Sequence, residues 1–157
     1  MPVENLFPRL EALLPQVSKP IQYVGGELNS QVKDWDEADV RWCLMYPDAY
    51  EVGLPNQGVM ILYEVLNEQP RTLCERAYML EALDLAGIPL HATDRTDEHP
   101  IVLAGGHAAF NPEPIADFID AAVLGDGEQA VIEMTDILRR AKRDGLTREQ
   151  TLLELAK

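Results

Sequence analysis

The chain has 157 residues, enough for one domain with a real core, and its hydrophobic fraction of 46% is ordinary for a globular protein. Thirteen basic against 27 acidic side chains leave a net charge of −14, which works against attraction to nucleic acid or an anionic membrane surface. No run approaches the ~18 consecutive apolar residues of a membrane span. The opening MPVENLFPRLEALLPQV also lacks the basic leader and apolar core of a signal peptide, so a cytoplasmic protein is expected.

Residues 5–14 place Leu6, Leu10, Leu13 and Leu14 on one face of a short helix, ended by Pro15 and Pro20. Residues 21–38 are a polar, glycine-containing lead-in, so 1–38 form an N-terminal helix and an irregular approach. Residues 39–46, DVRWCLMY, predict the first strand, closed by Pro47. Asn56 is suited to cap a helix over 58–68, where Val59, Leu62, Tyr63, Val65 and Leu66 repeat at helical spacing. Residues 72–79 are compatible with a second strand and 80–87 with a helix, with Gly87 and Pro89 as its stop. A short extended piece is expected over Ile88–Ala92.

Ile101–Ala104 and Ala121–Leu124 are short apolar runs bounded by glycine and predict buried strands. Between them, Pro112 and Pro114 open a helical turn through Phe118. Gly127–Arg143 is the clearest helix, with Val131, Met134, Ile137, Leu138 and Ala141 on one side and Gly145 as its stop. Thr147 and Gln150 form a capping box for a last helix through Ala156, over 146–157. Alternating strands and helices predict an α/β body over 39–145, a flavodoxin- or Rossmann-like parallel sheet with helices on both faces.

In such a sheet, ligands gather at the carboxyl ends of the strands. Three loops fall there. The first carries Asp48, Tyr50, Glu51 and Gly53; the second Gly105, Gly106 and His107; the third Gly125, Asp126 and Gly127. Glycines at a strand end let a ligand approach bare backbone. Each group also has an ordinary explanation: a solvated loop, a structural histidine, an acidic helix start. Phosphate is disfavoured, because Asp126 and Glu128 sit at the positive end of the long helix and no lysine follows. The P-loop string is absent, and G-x-G-x-x-G fails at Ala130. No nucleophile constellation, and hence no catalytic residue, is recognisable. Cys43 and Cys74 lack metal-ligand spacing, and Cys43, inside an apolar run, is expected to be a buried free thiol.

The string GGHAAFNPEPIADFIDAAVLGDGE over 105–128 resembles the end of the cobalamin-binding-like domain of B12-dependent radical SAM proteins. The matching features are Gly105-Gly106, Pro112-Glu113, Asp120 and Gly125 to Glu128. The segments YVGGELNS (23–30), KDWD (33–36), YPDAYEVG (46–53) and LDLAGIP (83–89) are similar to one uncharacterised subfamily of such proteins. The resemblance implies an accessory, non-catalytic domain that holds a corrinoid at the sheet rim. The four glycines Gly105, Gly106, Gly125 and Gly127 would give backbone contact, and Asp48, Tyr50 and Glu51 would line the face. Asp97-x-His99 does not complete a D-x-H-x-x-G signature, since Val102 stands where glycine belongs, so any cobalamin would lack a histidine lower ligand from this chain.

The iron–sulfur cluster of the family is held by C-x-x-x-C-x-x-C in a barrel, and this chain has neither that string nor, ending at Lys157, the barrel. A radical SAM barrel is therefore the expected partner, and the isolated chain is expected to be inactive. The family also carries several dozen more residues between Met79 and Leu80, including a helix and the third strand. The resemblance thus implies a sheet without one central strand, with an exposed edge through which copies could associate. The alternative is a degenerate, cofactor-free interaction or structural module.

Overall fold

The computed structural model describes residues 7–77, 83 and 86–157. The first helix, α1, covers Phe7–Glu11, and single turns of tight helix follow at Leu14–Gln16 and Pro20–Tyr23. Strand β1, Val40–Met45, is paired in parallel with β2, Thr72–Ala77, from Val40 opposite Thr72 to Met45 opposite Ala77. A parallel pair needs a long crossover. Here it is supplied by a one-turn helix α2, Tyr50–Gly53, and by α3, Gln57–Glu68. The loop expected to carry Asp48, Tyr50, Glu51 and Gly53 thus contains helix. Asn56 caps α3 as its sequence position predicts, accepting a 3.1 Å bond from the Val59 amide. Arg71 turns the chain into β2 with a positive φ of 53°, and its guanidinium grips the Asp39 carboxylate at 2.8 and 2.9 Å.

Side chains alternate along a strand, so Trp42 and Leu44 share a face with Cys74. Tyr63 and Leu66 of α3 and Val131 of the long helix α4, Gly127–Asp144, close over that face. Leu66 and Cys74 are fully buried. The Trp42 indole donates to the Thr135 hydroxyl at 2.9 Å, which itself donates to the Val131 carbonyl at 2.6 Å. This pair, half-buried Trp42 on buried Thr135, fixes α4 against β1. The opposite face presents Cys43, Met45 and Glu75 to solvent. Cys43 is therefore not the buried thiol its apolar neighbours suggest; alternation turns it outward, and Cys74 is the buried one.

The outer edge of β2 is occupied by side chains. The Asn67 amide bonds both the Cys74 N–H and the Cys74 carbonyl at 3.1 Å, as a neighbouring strand would. The Lys33 ammonium donates to the next outward carbonyl, Thr72, at 2.8 Å.

A second parallel ladder joins β3, Leu103–Ala104, to β4, Ala121–Ala122. Among the described residues the two ladders are separate. The strands expected over Ile101–Ala104 and Ala121–Leu124 are present but shorter, with a tight helical segment Glu113–Phe118 between them. Ile88–Ala92 forms no strand; a single helical turn lies at Ala92–Asp94 instead. Residues 1–6, most of the helix expected over 80–87, and the Met79–Leu80 junction lie outside the described residues. Helix α4 ends on Gly145 in the left-handed region, φ 66°. Helix α5, Arg148–Leu155, starts with both bonds of the Thr147–Gln150 capping box. The fold is α/β, with short parallel ladders and packed helices. Among the described residues no helix is long and apolar enough to cross a membrane.

Candidate functional site

The three loops singled out in the sequence all follow the carboxyl end of a parallel strand. The two glycine loops lie side by side. The Val123 amide donates to the Ala104 carbonyl at 2.7 Å, and a β-carbon on Gly105 would stand 3.8 Å from that of Val123. Gly106 and Gly125 adopt φ of 86° and 102°, where other residues are strained. Nothing lies within 4 Å of where their β-carbons would be, so both face open space. His107 begins a tight turn over His107–Phe110 and is exposed. Asp126 occupies the N-cap of α4 without making a side-chain cap bond. Gly127 has a different reason to be glycine: a β-carbon would come within 3.1 Å of the Leu62 side chain on α3. It allows α3 and α4 to pack closely.

The loop after β1 is bonded to another part of the chain. The Asp48 carboxylate accepts from the Ala49 amide at 2.7 Å, and Gly53 is buried at the end of α2. The Tyr50 hydroxyl donates to Glu27 at 3.3 Å. Glu51 receives the Lys19 ammonium and a 2.9 Å bond from the Gln22 amide. The Lys19 hydrogen bond, foremost, holds the Glu51 carboxyl below its ordinary range. The N-terminal arm therefore reaches over this loop. Two surface hollows lie elsewhere: one on the outer side of α4 at Arg139, Arg140 and Arg143, the other at the amino end of β2 around Lys33, Asn67 and Arg71.

A buried charged cluster beneath the second ladder was not foreseen from the sequence. Asp120, with 3% of its side chain exposed, accepts from Arg95 at 3.0 Å, Arg148 at 2.5 Å and the Val102 amide at 2.6 Å. The Arg95 side chain is wholly buried and also donates to the carbonyls of Pro89, Leu90 and Phe118. Arg148, at the start of α5, further binds the carbonyls of His99 and Pro100, and its amide binds Asp97. Asp120 thus ties the turn at 89–95, the approach to β3 and helix α5 together. Of the three residues only Asp120 carried a sequence signal, as part of the 105–128 string; nothing along the chain links it to Arg95 or Arg148.

A family model described as radical SAM proteins, N-terminal, matches residues 79–157, half of the chain. The chain belongs to the radical SAM N-terminal family. The matched half of this radical SAM N-terminal chain contains both glycine loops, α4, α5 and the whole Arg95–Asp120–Arg148 cluster. The β1–α3–β2 unit and the N-terminal arm precede it. No curated protein and no solved structure matches the chain.

Proposed function

We propose that this chain is a non-catalytic accessory domain working beside a radical SAM barrel, and that its glycine rim receives a corrinoid, cobalamin. The observation that supports this most is the pair of adjacent glycine loops with open space over Gly106 and Gly125. A flat ligand edge can lie on bare backbone there, where a side chain would intrude. The residues fit a neutral, amide-bearing edge better than a phosphate, because Asp126 and Glu128 flank the start of α4. His107, exposed beside Gly106, would hydrogen-bond such an edge. When bound, the corrinoid supplies a cobalt ion that can carry an alkyl group. This chain's part would be to bind and orient it through the glycine loops and the side chains of Asp48, Tyr50 and Glu51. Titration with hydroxocobalamin tests the reading: a shifted visible spectrum and co-elution on gel filtration are expected. No shift and no co-elution refute it.

A second reading, a cofactor-free docking module, is favoured by the exposed surface. Two large apolar side chains beside the glycine loops, Phe110 and Leu124, are 65% and 60% exposed. A partner domain, with or without a corrinoid between, would cover them. Docking without cobalamin in the titration selects this reading over the first.

A further inference from the structure

We propose that residues 19–31 form a displaceable strap across the loop after β1, holding its polar side chains until a ligand or partner displaces it. Four contacts attach the strap. Lys19 and Gln22 bind Glu51, Glu27 accepts from Tyr50, and the Gln31 amide donates to the Tyr63 hydroxyl at 2.7 Å. All four are polar. The apolar residues of this stretch are all exposed and none is part of the core: Ile21 and Leu28 are 68% and 89% exposed, Tyr23 and Val24 49% and 41%. Segments held with so little buried apolar contact open locally far below the free energy of global unfolding. The Lys19–Glu51 pair is half-exposed at both ends, so salt screens it and its contribution is small.

The strap has both a bend and an anchor. Gly25, Gly26 and Asn29 have φ of 66°, 77° and 66°, three left-handed residues within five. Two of them are glycine, with nothing within 4 Å of a β-carbon, so the backbone can rearrange there without collision. Just beyond, Lys33 fastens the chain to the carbonyls of Asn67 and Thr72. The anchor keeps the strap near the rim when its other contacts open. Tyr50 and Glu51 are two of the side chains assigned to the ligand face, so only the ligand's role in displacement rests on the corrinoid reading.

Hydrogen exchange read by mass spectrometry on the full chain and on Lys19→Glu tests the strap without any ligand. The variant sets like charge against Glu51. Exchange several-fold faster in 19–31 and 48–53, with 63–66 and 131–135 unchanged, is expected. Equal exchange in the two proteins refutes the strap. If the variant loosens the core as well, the parent protein at 0.5 M salt must show the same local change, and its absence there refutes the strap. Hydroxocobalamin titration of both proteins then separates the two ideas. Tighter binding by Lys19→Glu supports displacement. Weaker binding overturns it, because the arm would then be part of the site. An opened strap with no binding by either protein keeps the strap and refutes the corrinoid reading.

Discussion

Replacing Asp120 by Asn keeps the shape of the side chain and removes its charge. In the native chain that carboxylate accepts three bonds, from Arg95, Arg148 and the Val102 amide, at 2.5–3.0 Å. Arg95 has no exposed side-chain surface and Arg148 only 10%, so neither can turn to water for compensation. Breaking a buried pair in this way costs about 3–5 kcal/mol, because an uncompensated charge is left inside. That is a large part of the 5–15 kcal/mol that ordinarily holds a domain folded. For a chain of this size each kcal/mol lowers Tm by about 2–4 °C, so the expected fall is roughly 6–20 °C. Thermal unfolding followed by circular dichroism on the parent, Asp120→Asn, Arg95→Met and the double variant provides the test. The double variant should be less destabilised than the two single changes added together, since they remove one shared interaction. A Tm within 2 °C of the parent for Asp120→Asn, or strict additivity, refutes the assignment.

Four further outcomes are expected. At neutral pH a thiol reagent should modify Cys43 and leave Cys74 untouched until the protein unfolds. Burial, first, pushes the Cys74 thiol up to about 12 from an ordinary 9.0. A folded pKa raised in this way gives stability that is complete below about pH 9 and is lost as pH climbs toward 12, which chemical denaturation at pH 7 and pH 10.5 would show as a loss at the higher pH. Leu66→Ala, at a fully buried position, should lower unfolding free energy by about 2–5 kcal/mol, measured by urea titration. Thr147→Ala should cost about 1 kcal/mol in the same assay by removing the capping box of α5.

The three longer helices, α3, α4 and α5, were legible because they carry local signals. Asn56, Gly145 and the Thr147–Gln150 pair each satisfy backbone groups within four residues, so their spacing alone marks the ends of α3, α4 and α5. The strands were legible in place but not in length. A run such as Ile101–Ala104 is apolar whether two or four of its residues pair, and pairing depends on a partner elsewhere in the chain. The same reasoning explains Cys43: an apolar run looks buried throughout, while a strand covered by helices on one face buries alternate residues. At the rim, the glycine loops followed from strand ends and backbone freedom. The arm's hold on Tyr50 and Glu51, and the convergence of Arg95 and Arg148 on Asp120, join residues far apart in sequence, which no local pattern encodes.

The side chains on the outer edge of β2 have a consequence for assembly. With Asn67 imitating a neighbouring strand and Lys33 occupying the next carbonyl, that border cannot recruit another backbone without first surrendering three bonds. Among the described residues β1 has no strand on its other side. The ladder is therefore asymmetric: it can lengthen only by addition beside β1, in one direction. Two copies meeting edge to edge would have to join β1 to β1, which yields a closed pair and stops there, so fibre-like propagation through this sheet is blocked by its own geometry.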